Sequence, residues 1–218
     1  MLQTARPGEY EYQWVAGYAH HVARAGMREA FPTIAAAGSN ATMLHYSDNN
    51  CVAPAGALFL FNLGAEYAYY SADVSRTFPV NGKFTDRQKE LFAIVRDAQA
   101  AARDKMRPGV EMKQANQAVI DSYKKVLRAA KLIRDDSEVS KYYYHGVSHS
   151  LGLDTHDPCD RTVYEPGMVI TCEHGLYVAG EGIGIRLEND ILVTQGEPED
   201  LIGERLLDVS EVEELMGR

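Results

Sequence analysis

Two glutamates interrupt two strongly apolar segments in the C-terminal part of the chain, and they limit what the chain can fold into. Glu173 lies within MVITCEHGLYV, and Glu188 lies within GIGIRLENDILV. Segments of this composition favour buried strands. Burying a carboxylate costs free energy unless it is paired with an opposite charge or binds a cation. Arg186, two residues from Glu188 on the same strand face, is one candidate partner, and a metal ion is the other.

The segment HGVSHSLGLDTHD, residues 145–157, concentrates three histidines and two aspartates in thirteen positions. Glycine and small residues separate them, as in a turn between strands. Taken alone, the segment is compatible with a metal-binding or catalytic loop and equally with a polar turn. The choice depends on whether further ligands lie elsewhere, so His145, His149 and His156 are candidates only.

The clearest strand pattern, residues 57–80, contains two further polar residues, Asn62 and Asp73. The pattern predicts a buried strand over Ala57–Phe61, a turn, and a second, aromatic-rich strand over Tyr67–Val74. On one continuous strand Asn62 and Asp73 would face opposite sides, because they lie an odd number of positions apart. A hairpin brings both side chains to one point instead.

These segments together supply a set of oxygen and imidazole donors: Asn62, Asp73, His149, Glu173 and Glu188. Such donors suit Mn, Co, Zn or Fe better than metals that select thiolates. Each member also has a plainer interpretation. A lone aspartate in a strand is commonly a turn or edge residue, and Glu188 beside Arg186 is commonly a structural ion pair. The metal-site hypothesis therefore depends on the coincidence of the whole set.

Helical periodicity and capping signals surround the strands. An apolar stripe predicts a helix over residues 9–25, and Thr85-Asp86-Arg87-Gln88 is a capping-box pattern that begins a second helix. A third helix follows Pro108-Gly109, and a short acidic helix spans about residues 208–216. Because no linker or low-complexity tract divides the sequence, we expect a single α+β domain over residues 1–218.

Composition argues against several classes of partner. The chain has 22 basic and 31 acidic residues, a net charge of −9 and no basic cluster, which disfavours nucleic acid as a ligand. No apolar run approaches the ~20 residues of a membrane-spanning helix. The three cysteines have no CxxC spacing and fit free thiols in a reducing compartment. We therefore expect a cytoplasmic protein that acts on a peptide, a small molecule or a cation.

Several long motifs resemble those of the pita-bread metallopeptidases, specifically the Xaa-Pro aminopeptidase (aminopeptidase P) and prolidase branch. In order along nearly the whole chain, they are RPGEYEYQ, LHY, GAEYAYYSADVSRTFPVNGKFT, HGVSHSLGLDTHD, EPGMVITCEHGLYV and GIGIRLENDILVT. The resemblance implies the pita-bread (creatinase/aminopeptidase) fold: a curved antiparallel sheet with helices packed outside, in two pseudo-symmetric halves. We expect the chain to be the catalytic domain alone, without the N-terminal domain usual in the branch.

The resemblance also implies roles for individual residues. Asp73 and Glu188 match residues that bridge two metal ions, and His149 and Glu173 match ligands of one metal only. Asn62 stands where the family has an aspartate ligand of the other metal. The implied catalytic set contacts substrate, assists proton transfer or supports the carboxylates, and consists of His45, His145, His156 and Arg186.

The implied reaction is metal-dependent hydrolysis of an Xaa-Pro bond by a metal-bound hydroxide, on a peptide with proline in the second position. Proline can be recognised because its ring has a fixed shape and its nitrogen carries no hydrogen. The resemblance favours Mn as the metal, and the ligand set also permits Co, Zn or Fe. It is compatible with a homo-oligomer, and neither nucleic acid nor a membrane is expected as a partner.

Two positions depart from the family pattern. Asn62 is neutral and lowers the number of carboxylates at the site from four to three. This predicts that one metal binds tightly and the second weakly or not at all, with activity reduced or lost. His174 stands where the family usually has proline after the glutamate. It offers an extra metal or proton contact, and we expect it to leave the fold unchanged.

Two other functions remain open from the sequence. One is a catalytically inactive member that binds a peptide or protein, and the other is a creatinase-type enzyme that cleaves a different C–N bond without metals. Four of the five ligand positions and the accessory histidines are retained, which favours catalysis. Metal content distinguishes these possibilities, because neither alternative requires a metal.

Overall fold

Antiparallel strands and four α-helices form the part of the chain that the computed structural model describes, residues 6–203 and 208–217. The helices are α1 (Glu11–Arg24), α2 (Asp86–Arg103), α3 (Met112–Ala129) and α4 (Val209–Met216). The strands are β1 (Arg28–Glu29), β2 (Ile34–Ala37), β3 (Leu58–Leu63), β4 (Ala65–Tyr67), β5 (Tyr70–Ser71), β6 (Val74–Pro79), β7 (Val169–Val178), β8 (Ile183–Leu192) and β9 (Glu199–Asp200). This content confirms the predicted α+β class.

The strands form two main sheets and one small one, and every pairing within them is antiparallel. The main sheets have the orders β2-β3-β6 and β7-β8-β9, and the small sheet has the order β1-β4-β5. The two main sheets meet where β6 lies beside β8. There the Thr77 hydroxyl accepts a hydrogen bond from the Arg186 backbone N–H at 3.1 Å and lies 3.2 Å from the Arg186 carbonyl. This junction places polar residues of both sheets next to one another.

The helices begin and end near the predicted positions. The Thr85 hydroxyl accepts from the Gln88 backbone N–H, and the Gln88 side chain accepts from the Thr85 N–H, so the predicted capping box starts α2. Helix α2 packs against α3, β7 and β8, and α1 packs against β2. Within residues 6–203 and 208–217, none of the helices has the length and apolarity that crossing a bilayer requires.

The predicted second strand over Tyr67–Val74 is wrong. The chain instead forms the short strands β4 and β5, and the long partner of β3 is β6, which begins at Val74. Ala68 and Tyr69 both have positive φ, +50° and +67°, so the backbone reverses there as in a type I′ hairpin. The hairpin itself was correctly expected, because Asn62 lies opposite Ser75 in the register of β3 and β6.

Alternation along the strands separates two faces of the main sheets. The larger of the two clusters of buried apolar residues, called the large core below, includes Phe59 and Phe61 of β3 and Leu91 of α2. Asn62 lies on the opposite face of β3 from these phenylalanines. The same rule holds in β8, where Leu187 enters the large core. The polar residues between these apolar positions therefore face away from the helices.

Gly184 marks a close approach between β8 and the 3₁₀ turn at Gly38–Thr42. A β-carbon on Gly184 would lie 2.0 Å from the backbone oxygen of Ala41. We predict that Gly184→Ala lowers the free energy of unfolding by roughly 1–3 kcal/mol, because backbone must move to make room. Urea unfolding measures the change. Gly180→Ala is the control, since its added carbon meets nothing within 4 Å. An equal decrease in the free energy of unfolding in both variants would contradict the close contact at Gly184.

Candidate metal centre

Four acidic or imidazole side chains converge where β6, β7 and β8 meet. Asp73 directly precedes β6, and Glu173 of β7 lies opposite Glu188 of β8 in the strand register. His149 comes from the loop before β7. That loop is fixed to β7 by two hydrogen bonds, from the Thr171 N–H to the His149 carbonyl and from the His149 N–H to the Thr171 hydroxyl.

The convergence satisfies the spacing of a cation site. Asp73, His149 and Glu188 each offer a ligand atom, and these atoms lie within 4.8 Å of one another. Glu173 joins them, since its Oε1 lies 3.3 Å from Nε2 of His149. Carboxylate oxygens and one imidazole nitrogen form a donor set that suits a divalent first-row metal. The residues present therefore fit a divalent cation.

Electrostatics in the cavity favour a cation. Burial raises the pKa of Glu188 well above its usual range, and the nearby carboxylates of Asp73 and Glu173 raise it further. Burial is also the main cause of a raised pKa at Glu173. Carboxylates brought this close cannot all ionise cheaply without positive charge between them. A bound cation removes this cost and keeps them ionised.

The Asn62 side chain occupies the space between two of these carboxylates. Its Nδ2 donates to Oδ1 of Asp73 at 2.6 Å and to Oε2 of Glu188 at 3.1 Å. An ionised carboxylate only accepts hydrogen bonds, so the amide must present its NH₂ group to both. Asn62, itself one of the five predicted ligand positions, thus lies beside the other four, and it contacts two of them as a hydrogen-bond donor.

Arg186 reaches Glu188 through a third residue. Its Nε donates to the Ser75 hydroxyl at 2.8 Å, and that hydroxyl donates to Oε2 of Glu188 at 2.6 Å. The plainer interpretation of Glu188 as a direct ion-pair partner of Arg186 is therefore wrong. Ser75 was not among the predicted site residues, although its position two residues after Asp73 on the same strand face was a usable signal.

Asp190 was also missed. Both of its carboxylate oxygens lie 3.3 Å from the backbone N–H of Asp73, which fixes the segment that carries the Asp73 side chain. Burial is the main cause that raises the pKa of Asp190 to about 7. Asp190 lies two residues beyond Glu188 on the same face of β8, so alternation could have indicated it.

The three candidate catalytic histidines line the same cavity, of about 250 Å³. His145 lies deepest: its Nδ1 is 2.7 Å from the Gly146 carbonyl, and its Nε2 is 3.0 Å from the Tyr177 hydroxyl. Burial lowers the pKa of His145 to about 4, so its imidazole is neutral near pH 7. The His156 ring lies 4.1 Å from the His149 ring, centre to centre, and His45 completes the wall.

A second, more apolar cavity adjoins the first. It has a volume of about 380 Å³ and shares four lining residues with the metal cavity, namely His45, Asn62, Asp73 and His156. The remaining wall includes the apolar side chains of Phe31, Pro32 and Ile34. An apolar pocket thus opens directly beside the cluster of carboxylates.

His174 does not join the site, so the expected extra metal or proton contact is wrong. Its side chain is fully buried on the helix side of β7, and its Nε2 lies 2.7 Å from the Val95 carbonyl of α2. Cys172, on the same face, is buried in the large core. Alternation directs both residues away from Glu173.

The sequence profile of metallopeptidase family M24 matches residues 1–195. The chain belongs to this family, for which a divalent metal is the implied cofactor, and its fold is the pita-bread fold of the aminopeptidase P structures it resembles.

Several of the similar proteins are Xaa-Pro aminopeptidases. Those of Escherichia coli and Haemophilus influenzae are 36% and 35% identical over 99% of this chain and 54% and 55% of their own lengths. A candidate aminopeptidase P from Bacillus anthracis is 45% identical with a TM-score of 0.95, over 99% of this chain and 52% of that structure. Zinc-substituted E. coli aminopeptidase P, solved with product, has a TM-score of 0.93 at 36% identity over 99% of this chain and 54% of that structure. The chain spans about half the length of these relatives.

Burial of His174 predicts a loss of stability in acid. Burial lowers its pKa to about 3 in the folded chain, whereas an unfolded histidine titrates near 6.5. Between about pH 6.5 and 3 the unfolded chain binds a proton that the folded chain does not, so stability falls as pH falls. Between pH 7 and pH 5, the titration of this residue should lower the free energy of unfolding by about 2 kcal/mol.

Urea unfolding at pH 7 and pH 5 measures this cost by comparison with His174→Gln. Glutamine retains an amide that can donate to the Val95 carbonyl, and it does not titrate. Between pH 7 and pH 5, the free energy of unfolding of the variant should therefore fall by about 2 kcal/mol less than that of the parent. An identical pH dependence in the two proteins would contradict the prediction.

Proposed function

We propose that this chain carries the active site of a divalent-metal-dependent Xaa-Pro peptidase. The observation that carries the proposal is the group of Asp73, His149 and Glu188, with ligand atoms within 4.8 Å of one another in a histidine-lined cavity. The Xaa-Pro aminopeptidase relatives support the substrate class, and they favour the aminopeptidase P type over a prolidase.

We infer that four residues hold the cation: Asp73, His149, Glu173 and Glu188. When bound, the cation supplies Lewis-acid chemistry, in which it polarises a carbonyl oxygen and acidifies water. Ser75 and Arg186 keep Glu188 in place through their chain of hydrogen bonds. The ligand chemistry permits Mn, Co, Zn or Fe, and we propose Mn on the resemblance to the family branch.

The histidines supply donors around the scissile bond. His45 and His156 line both cavities, so they can face a peptide that lies across the boundary between them. There an imidazole can hold developing charge on the carbonyl oxygen or move a proton to the leaving nitrogen. His145 stays neutral and fixed between Gly146 and Tyr177, which suits a positioning role better than a general base.

The apolar pocket beside the site supports a substrate with proline in the second position. Its walls include Phe31, Pro32 and Ile34, and it is large enough for a compact apolar ring. A rigid pyrrolidine ring loses little conformational freedom on binding, because its backbone angle is already fixed. We also propose a cytoplasmic location, since Cys51 and Cys159 are exposed free thiols.

One prediction concerns the metal ligands. With Mn²⁺ present, the protein should release the N-terminal residue from an Xaa-Pro-Yaa peptide, and EDTA should abolish the activity. His149→Ala should lower kcat/KM by about 100-fold or more, because it removes a ligand from the cation. The exposed His20 of α1 provides the control His20→Ala, which should retain full activity. Unchanged activity in His149→Ala would contradict the assignment.

Another prediction concerns the substrate. Replacing the proline at the second position of the peptide by alanine should lower kcat/KM by roughly tenfold or more, because the apolar contacts of the ring are lost. Product analysis by mass spectrometry compares the two peptides at matched concentrations. A protein that is folded and metal-loaded but cleaves neither peptide would instead support an inactive, peptide-binding member of the family.

A further inference from the structure

We infer that this chain holds one divalent cation, and that the Asn62 amide takes the place of a second. The inference rests on the proposed function only in that the cavity holds a metal at all. It concerns the number of cations, and it gives a geometric reason for the weak or absent second metal that the missing fourth carboxylate predicts. Three features of the cavity lead to it.

The first feature is the charge of the cavity. Its charged lining residues are the carboxylates of Asp73, Glu173 and Glu188 and the guanidinium of Arg186, whose formal charges sum to −2 when all three carboxylates are ionised. One divalent cation neutralises this charge. Two would leave a net charge of +2 in a buried site, where uncompensated charge is costly. An aspartate at position 62 would provide the charge that Asn62 lacks.

The second feature is how Asp73 uses its two oxygens. Oδ2 lies 3.6 Å from Nε2 of His149, on the side of the other ligands. Oδ1 accepts the 2.6 Å hydrogen bond from Asn62. A carboxylate that bridges two cations offers one oxygen to each, whereas here one oxygen faces a ligand group and the other faces an amide. Asp73 is therefore directed towards a single cation.

The third feature is the second hydrogen bond of the same amide. Nδ2 of Asn62 also donates to Oε2 of Glu188, which accepts from the Ser75 hydroxyl as well. To offer its oxygen to a cation, the Asn62 amide must turn over and break both of its hydrogen bonds to carboxylates. Partial positive charge on the NH₂ group thus replaces a cation between Asp73 and Glu188, without adding net charge.

The test is a count of bound cations. The full chain is stripped with chelator, titrated with Mn²⁺ by calorimetry, and checked by elemental analysis after dialysis. We expect one tightly bound Mn²⁺ per chain and a second site at least about tenfold weaker. Electron paramagnetic resonance should show the spectrum of isolated Mn²⁺, without the spin coupling of two ions that share carboxylates.

Two substitutions separate charge from shape. Asn62→Asp keeps the shape of the side chain and adds the missing charge, so it should bind two Mn²⁺ per chain and show a spin-coupled spectrum. Asn62→Ala removes the amide but leaves the cavity charge at −2, so it should still bind one. Circular dichroism confirms that each variant is folded, and the count on the parent protein tests the inference even if a variant does not fold.

Tight binding of two Mn²⁺ by the parent protein would overturn the inference, as would binding of none. Two tight sites in Asn62→Ala would overturn the charge argument. Peptidase activity is a separate measurement. One bound Mn²⁺ without cleavage of any Xaa-Pro peptide would overturn the proposed function and leave the inference intact. Two tightly bound Mn²⁺ with cleavage would overturn the inference and leave the proposed function intact.

Discussion

Mutual repulsion among Asp73, Glu173 and Glu188 is the constraint on which the rest of the site depends. Burial and proximity together raise the pKa of Glu188 well above its usual range, so the folded chain contains a group that is costly without positive charge nearby. The surrounding residues reduce this cost in different ways. Asn62 and Ser75 donate hydrogen bonds to Glu188, and Arg186 contributes its charge through Ser75. The site is arranged around an excess of negative charge that a bound cation would neutralise.

The sheet architecture makes this excess tolerable because one face of each main strand is apolar. Phe59, Cys172 and Leu187 pack in the core beneath α2 and α3, and the polar residues between such positions face the cavity. The helices therefore stabilise the backbone that carries the candidate ligands, and the helices themselves remain outside the site. This separation agrees with the high structural similarity to aminopeptidase P structures at 36–45% sequence identity.

The sequence predicted the features that follow from periodicity, capping signals and family motifs. The capping box at Thr85 and the hairpin that joins Asn62 to Asp73 are both present. The strand boundary at Tyr67–Val74 was missed because alanine and tyrosine give no signal for the left-handed backbone at positions 68 and 69. Ser75 and Asp190 were missed because their partners depend on the register between strands. His174 was predictable, since the alternation that buries Cys172 buries it as well.

Strand β8 carries Arg186, Glu188 and Asp190 at every second position, whereas Ile185 and Leu187 lie on its opposite, core-facing side. A slip of one residue in its pairing with β7 would turn three charged groups into the apolar core and expose the isoleucine and leucine to the cavity. Misregistered chains would thus carry a very large penalty during folding. Glu188, one of the proposed metal ligands, and its two charged neighbours on this face thus also favour a single alignment of the strand, so site chemistry and folding fidelity depend on the same side chains.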